Sequence, residues 1–199
     1  MGLAVMIAGL AVFLGTHVFT TRREARAALI ARLGEGPYKL LYSLVAALGL
    51  VLIGYGYGDY RANDWIAVWE PPAWTRHVAV LLMWPAVIAI LAAYLPGRIK
   101  ATLKHPMLVG VKLWAFAHLI ANGDLGSIVL FGSILAWAVF DRIAVKRRGD
   151  PLPIARAGAW KNDLLAVVAG TILYLALGLV FHPVVIGVPA FAARVAPPL

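Results

Sequence analysis

Five histidines, His17, His77, His105, His118 and His182, are the side chains of this sequence best suited to hold a metal or move a proton. The 199 residues include no cysteine, which excludes a disulfide scaffold, a thiolate zinc site, a cysteine-ligated iron–sulfur cluster and a cysteine nucleophile. His118 stands in VKLWAFAHLIANG, with apolar neighbours on both sides and Trp114 one turn earlier on the same helical face. His17, in FLGTHVF, has a similar setting, and Gly15 just before it would admit a large planar group or a second helix. An ionisable residue inside an apolar run is expensive and is a functional candidate by default. Each of these two reads either as a metal or haem ligand or as a histidine hydrogen-bonded to a carbonyl within a helical bundle. His105, between Lys104 and Pro106, reads as a helix start, His77 after Trp74-Thr75-Arg76 as an interfacial residue, and His182-Pro183 as a helix end. Lys112 is the lone basic residue inside an apolar run and shares a helical face with His105. Its partner would be an acid such as Asp141, a haem propionate or an anionic substrate group.

The elements that must position these residues are membrane helices. The chain is 62% hydrophobic and 14% charged, and its mean hydropathy is +0.85, whereas a soluble domain carries about 45–50% apolar and about 25% charged residues. Six apolar runs follow one another: Met1–Thr20, Leu40–Gly58, Val78–Leu95, Met107–Ala121, Leu125–Phe140 and Leu164–Phe181. Four of them match the roughly 20 residues that a bilayer requires. The first lacks a basic leader and is followed by RREAR rather than by a small-residue cleavage site, so it reads as a retained helix and not as a signal peptide. The fourth run would reach only about 22 Å against about 30 Å of hydrocarbon. It is joined to the fifth by Asn122-Gly123-Asp124, which implies an antiparallel hairpin whose tip lies below the surface. Asp141-Arg142 reads as the end of the fifth helix. The expected fold is an all-α polytopic transmembrane helical bundle of about six spans, in a single domain covering residues 1–199 and without internal repeats.

The surplus positive charge sorts by loop. The net charge is +9 and the pI near 10.2. Arg22, Arg23, Arg26, Arg32 and Lys39 fall in loop one, Arg98, Lys100 and Lys104 in loop three, and Arg142, Lys146, Arg147, Arg148, Arg156 and Lys161 in loop five. The even loops and the termini hold Arg61, Arg76 and Arg194. Positive residues stay on the cytoplasmic side, so both termini are expected outside. The charge is thus an orientation signal and an attraction to anionic lipid, with no nucleic-acid partner. Loop two, from Asp59 to Arg76, carries Tyr60, Trp65, Trp69 and Trp74 and fits the outer aromatic belt.

Depth counting places His17 with His105 near the cytoplasmic face, and His118 with His77 or His182 near the outer one. Two imidazoles on one haem iron require similar depth. His105 and His118 are separated by about 20 Å of rise and about 220° of rotation on one helix, so they cannot share a site. A pairing of His17 with His118 requires the hairpin tip to sit deep. There is no GxSxG, HExxH, Walker A or GxGxxG motif, and no nucleophilic triad can be assembled.

The stretch LPGRIKATLKHPMLVGVKLWAFAHLIANGD, with FLGTHVF near the start and ARLGEGPYKLLYSL after the first basic loop, resembles the NnrU family. The resemblance covers nearly the whole chain and is strongest over residues 95–142. The family is in turn similar to plant and cyanobacterial 15-cis-zeta-carotene isomerase, an integral membrane enzyme that uses haem b. The resemblance implies haem b held by His17 and His118, with His105 in the place of the histidine of an Arg-His-Pro motif whose arginine is Lys104 here; His105 and His77 are second-tier ligands. It also implies a multi-pass protein of the bacterial inner membrane, accessory to nitrite and nitric oxide reduction, with a redox partner or a hydrophobic polyene as the molecule it meets. Two other classes remain open. KHPMLVG is also similar to the RHPxYxG segment of membrane methyltransferases that use S-adenosylmethionine, although the paired glutamates of those enzymes are replaced here by DRIAVKRRGD. A cofactor-free accessory membrane protein would need only ordinary packing of all five histidines.

Overall fold

The computed structural model describes residues 1–149 and 159–191, and among these every extended element is a helix. Arg156 and Arg194 of the charge pattern lie outside the described residues. Five helical stretches are long and apolar enough to cross a membrane. They are α1 (Gly2–Thr21), α3 (Glu35–Asn63), α4 (Ala73–Ala92), α7 (Leu125–Arg148), and α8 (Trp160–Ala176) with its π-helical continuation Leu177–Ile186. The fourth apolar run forms α6 (Pro106–Ala121), whose 16 residues reach only about 24 Å. The six expected runs are therefore five long helices and one short one. Their outer faces are apolar: Leu44, Leu48 and Val51 on α3 are 59%, 55% and 66% exposed, and Leu81 on α4 is 68% exposed. Surface of this kind is stable against hydrocarbon and not against water, so this is a multi-pass membrane protein.

Several boundaries differ from those expected. Two helices fall where loops were anticipated, α2 (Arg23–Leu33) and α5 (Arg98–Leu103). Helix α3 extends past Leu40–Gly58 at both ends, with helical i,i+4 pairs in the added turns: Lys39 Nζ is 2.8 Å from Glu35 Oε1 and Asn63 donates to Asp59 at 2.7 Å. Helix α7 does not close at Asp141-Arg142. It runs on to Arg148 and stops at Gly149, which adopts φ 65°, with Lys146, Arg147 and Arg148 in a last turn where the helix dipole favours cations. His182-Pro183 is not a helix end either: it lies inside the π-helical segment, a winding that suits a ring with no N–H to donate, and the helix terminates at Gly187, φ 75°. The hairpin connection is Asn122-Gly123-Asp124 as expected.

The described chain forms two compact units. The first holds residues 1–71 and 118–149: α1, α2, α3, α7 and the last turn of α6. In it α1 and α3 run antiparallel along a seam of glycines. A Cβ on Gly2 would lie 2.2 Å from Tyr60 N, on Gly56 2.3 Å from Met6 N, on Gly9 2.6 Å from Ile53 N, and on Gly49 2.8 Å from Phe13 N. Only glycine permits so close an approach of backbones. Gly15 is not part of this seam; among the described residues no atom lies within 4 Å of the Cβ it lacks, so no second helix approaches it there.

The second unit holds residues 72–117 and, among those described, 159–191: α4, α5, the start of α6, α8 and the π-helical segment. Trp84 Nε1 donates to Thr171 Oγ1 at 3.0 Å and Tyr174 to the Val80 carbonyl at 3.1 Å, tying α4 to α8. Asp163 holds the first turn of α5 by accepting from Ile99 N at 2.9 Å.

Candidate functional site

His17 lies in the C-terminal half of α1, half-buried, where three helices of the first unit meet. Its Nδ1 is 2.7 Å from the carbonyl oxygen of Phe13, one turn back. A carbonyl only accepts, so Nδ1 carries a proton, and in the neutral ring this leaves the lone pair on Nε2. Around the imidazole stand Phe13 of α1, Trp137 of α7 and Tyr42 of α3, with ring centroids at 4.3, 5.2 and 5.8 Å. The Trp137 indole N–H is buried and has no hydrogen-bond partner among the described residues, and the same holds for the hydroxyl of Tyr38, one turn before Tyr42. Such unmatched polar atoms are rare in a packed protein; one of these two stands beside the histidine and the other beside its neighbour Tyr42.

Tyr42 also lines a cavity of about 570 Å³ in the same unit. The cavity is strongly basic, with Arg23, Arg26, Lys39 and Arg148 on its walls and Asp141 as the one carboxylate. These residues come from α2, the start of α3 and the end of α7, the elements whose polar ends converge there.

His118 occupies a different level. Its ring stacks on Phe131 of α7 at 4.7 Å and 28°. Phe131 is in turn 6.5 Å from Tyr57, whose hydroxyl lies 2.6 Å from Ser127 Oγ. Ser127 donates from Oγ to Asp124 Oδ2 at 2.6 Å and from its backbone N–H to Asp124 Oδ1 at 2.8 Å. Asp124 thus caps α7 and is fully buried. Sequence reasoning passed over it as a turn residue, although Asp-x-x-Ser ahead of an apolar run is an N-cap signal. The tip is covered by loop two: Val68 N and Trp69 N donate to the Gly123 carbonyl at 2.8 and 3.0 Å, and Leu125 N to Ile66 O at 2.9 Å.

The two histidines implied as an iron-binding pair pack against different rings of α7, His17 against Trp137 and His118 against Phe131. Phe131 and Trp137, which they touch, are about 9 Å apart along α7. As donors they fit an iron singly. His17 is the better suited, with one nitrogen fixed, the other available and an unmatched N–H beside it.

The remaining candidates lie in the second unit. His105 immediately precedes α6 and its carbonyl accepts from Val109 N at 3.1 Å, so it sits at the helix start with Pro106 as the first helical residue. His77 is exposed in the second turn of α4. Lys112, half-buried in α6, has no hydrogen-bond or ion-pair partner among the described residues. The His182 carbonyl accepts from Val188 N at 3.2 Å. Among the described residues no group of three or more His, Asp or Glu side chains is placed to hold a metal ion, so any metal would be held through a cofactor or by fewer protein ligands. No curated protein and no solved structure matches the chain. The model of the family described as NnrU protein matches residues 5–190, nearly the whole length over which these helices and histidines are distributed, and the chain belongs to the NnrU family.

Proposed function

We propose that this protein is a haem b protein of the bacterial inner membrane, with both termini outside, in which His17 supplies an axial ligand and His118 is the second candidate. The observation that carries the reading is the contact of His17 Nδ1 with the Phe13 carbonyl, which fixes the tautomer and leaves Nε2 for iron. Trp137 offers a buried N–H beside that ring, and Phe13 and Tyr42 pack around it. A bound haem would supply one-electron chemistry, its potential set by axial ligand and burial. The denitrification-linked role follows the family resemblance: an accessory function in redox or nitrogen-oxide metabolism.

The visible spectrum of the detergent-purified protein, expressed with haem supplied, tests this. A Soret band is expected, lost in His17→Ala and kept in His182→Ala. No band in the wild-type protein, or a band indifferent to His17→Ala, overturns the assignment. Labelled S-adenosylmethionine bound in the absence of haem would favour the methyltransferase class instead.

A further inference from the structure

The basic cavity of the first unit has chemistry that an iron ligand does not require. Arg23, Arg26, Lys39 and Arg148 converge on about 570 Å³, where Asp141 is the carboxylate among the described residues of its walls. Like charges gathered around one concavity repel each other, and an anion in their midst reverses the sign of that interaction. Lys39 is already engaged with Glu35 at 2.8 Å. Arg26 has no carboxylate within ion-pair distance among the described residues; its guanidinium stands over the ring of Tyr38, 5.7 Å from the centroid. A guanidinium placed over an aromatic face can still offer N–H groups at its edge to a planar pair of oxygens.

Tyr38 adds an independent observation. Its side chain lines the same cavity, is only 5% exposed, and has a hydroxyl with no hydrogen-bond partner among the described residues. A buried hydroxyl left without a partner is costly, and an acceptor oxygen removes the cost. The Ser43 hydroxyl is a further donor on the wall, whereas Thr20 and Thr21 already donate to the carbonyls of His17 and Val18 at 2.7 Å. Beside Lys39, Leu40 and Leu41 are 62% and 47% exposed, so apolar surface borders the charged opening.

We propose that this cavity binds a phosphate-bearing anion through Arg26, the neighbouring cations and the Tyr38 hydroxyl. The Asp141 carboxylate favours a singly charged phosphodiester over a dianion. The source is either the headgroup of an acidic phospholipid, whose chains would lie along Leu40 and Leu41, or free phosphate. The site does not depend on haem being bound.

The test uses the full chain in zwitterionic detergent, with phosphatidylglycerol, phosphatidylcholine and inorganic phosphate as probes and native mass spectrometry as the readout. Phosphatidylglycerol should be retained over phosphatidylcholine. Arg26→Gln should lower its affinity about five-fold, and Arg26→Gln with Arg148→Gln about 25-fold. Arg26→Lys should restore part of the loss, Tyr38→Phe should weaken binding, and thermal unfolding of all four variants should match wild type. Arg32→Gln, on α2 but outside the cavity, should have no effect. Displacement of the lipid by millimolar inorganic phosphate assigns the site to a soluble phosphate, and resistance to displacement assigns it to the lipid. Equal losses in Arg26→Gln and Arg32→Gln would reduce the effect to general surface charge and overturn the proposal. So would lipid and phosphate binding unchanged in the double variant, or variants that lose haem while keeping both ligands, since propionates would then be the partners.

Discussion

The indole of Trp137 stands edge-on to the imidazole of His17, centroids 5.2 Å apart and planes at 80°, with its N–H buried and unmatched among the described residues. Because that N–H makes no hydrogen bond, its removal forfeits none. Trp137→Phe is expected to leave thermal stability in detergent unchanged or raise it by about 1 kcal/mol. In haem-loaded protein the same change should shift the Soret band if the N–H serves a group bound at His17. Destabilisation well beyond that left by the smaller ring would show that the indole N–H has a partner.

Gly123 meets loop two so closely that a Cβ there would fall 1.8 Å from the Trp69 carbonyl oxygen. Gly123→Ala must push the loop off the hairpin tip and break the hydrogen bonds that close it, costing about 3 kcal/mol. Gly15→Ala, made where the missing Cβ has open space, should be neutral or gain up to about 1 kcal/mol. A comparison of the two melting temperatures checks both, and equal shifts would contradict the packing described.

Ser127 joins the fully buried Asp124 to Tyr57. Ser127→Ala removes the hydroxyl between them and leaves the Tyr57 O–H without its acceptor, at a cost of about 2 kcal/mol. Tyr57→Phe deletes the donor as well and should cost less. The double variant should therefore be more stable than the sum of the two single changes predicts, as thermal unfolding of all four proteins will show.

The orientation proposed above is open to direct labelling, since the chain has no native cysteine to mask. A single cysteine at Lys146 should be protected from a membrane-impermeant maleimide in intact cells, and one at Trp65 should react. The reverse pattern would place the basic ends outside.

Most of the membrane architecture was legible because an apolar run long enough to cross a bilayer has few other fates in a folded chain. The Asn122-Gly123-Asp124 connection was legible from its turn residues. Helices α2 and α5 were not: REARAALIARL has no sustained apolar stripe, and the six residues of α5 take their first turn from Asp163, 64 residues further along the chain at its contact with Ile99. His17 and His118 stood out as ionisable residues in apolar runs, but the rings they pack against, Trp137 and Phe131, come from another helix, α7, and were not legible. The basic cavity was hidden because its arginines had a sufficient explanation as orientation signals. A concavity arises only when the ends of separate helices converge, and one sequence contains no record of that convergence. Asp124 was passed over for a similar reason, since it is loop two that folds against it, Ala67 lying opposite it.

The glycine seam makes α1 a keyed part and not an interchangeable anchor. A generic hydrophobic segment of equal length would enter the bilayer just as readily, yet it would come to rest a side chain's width away from α3. Tyr42 of α3 and Trp137 of α7 would then lose the imidazole that α1 carries between them. Mutational tolerance along this first helix should accordingly follow two unequal faces, permissive toward lipid and intolerant of any added methyl at Gly2 and Gly9.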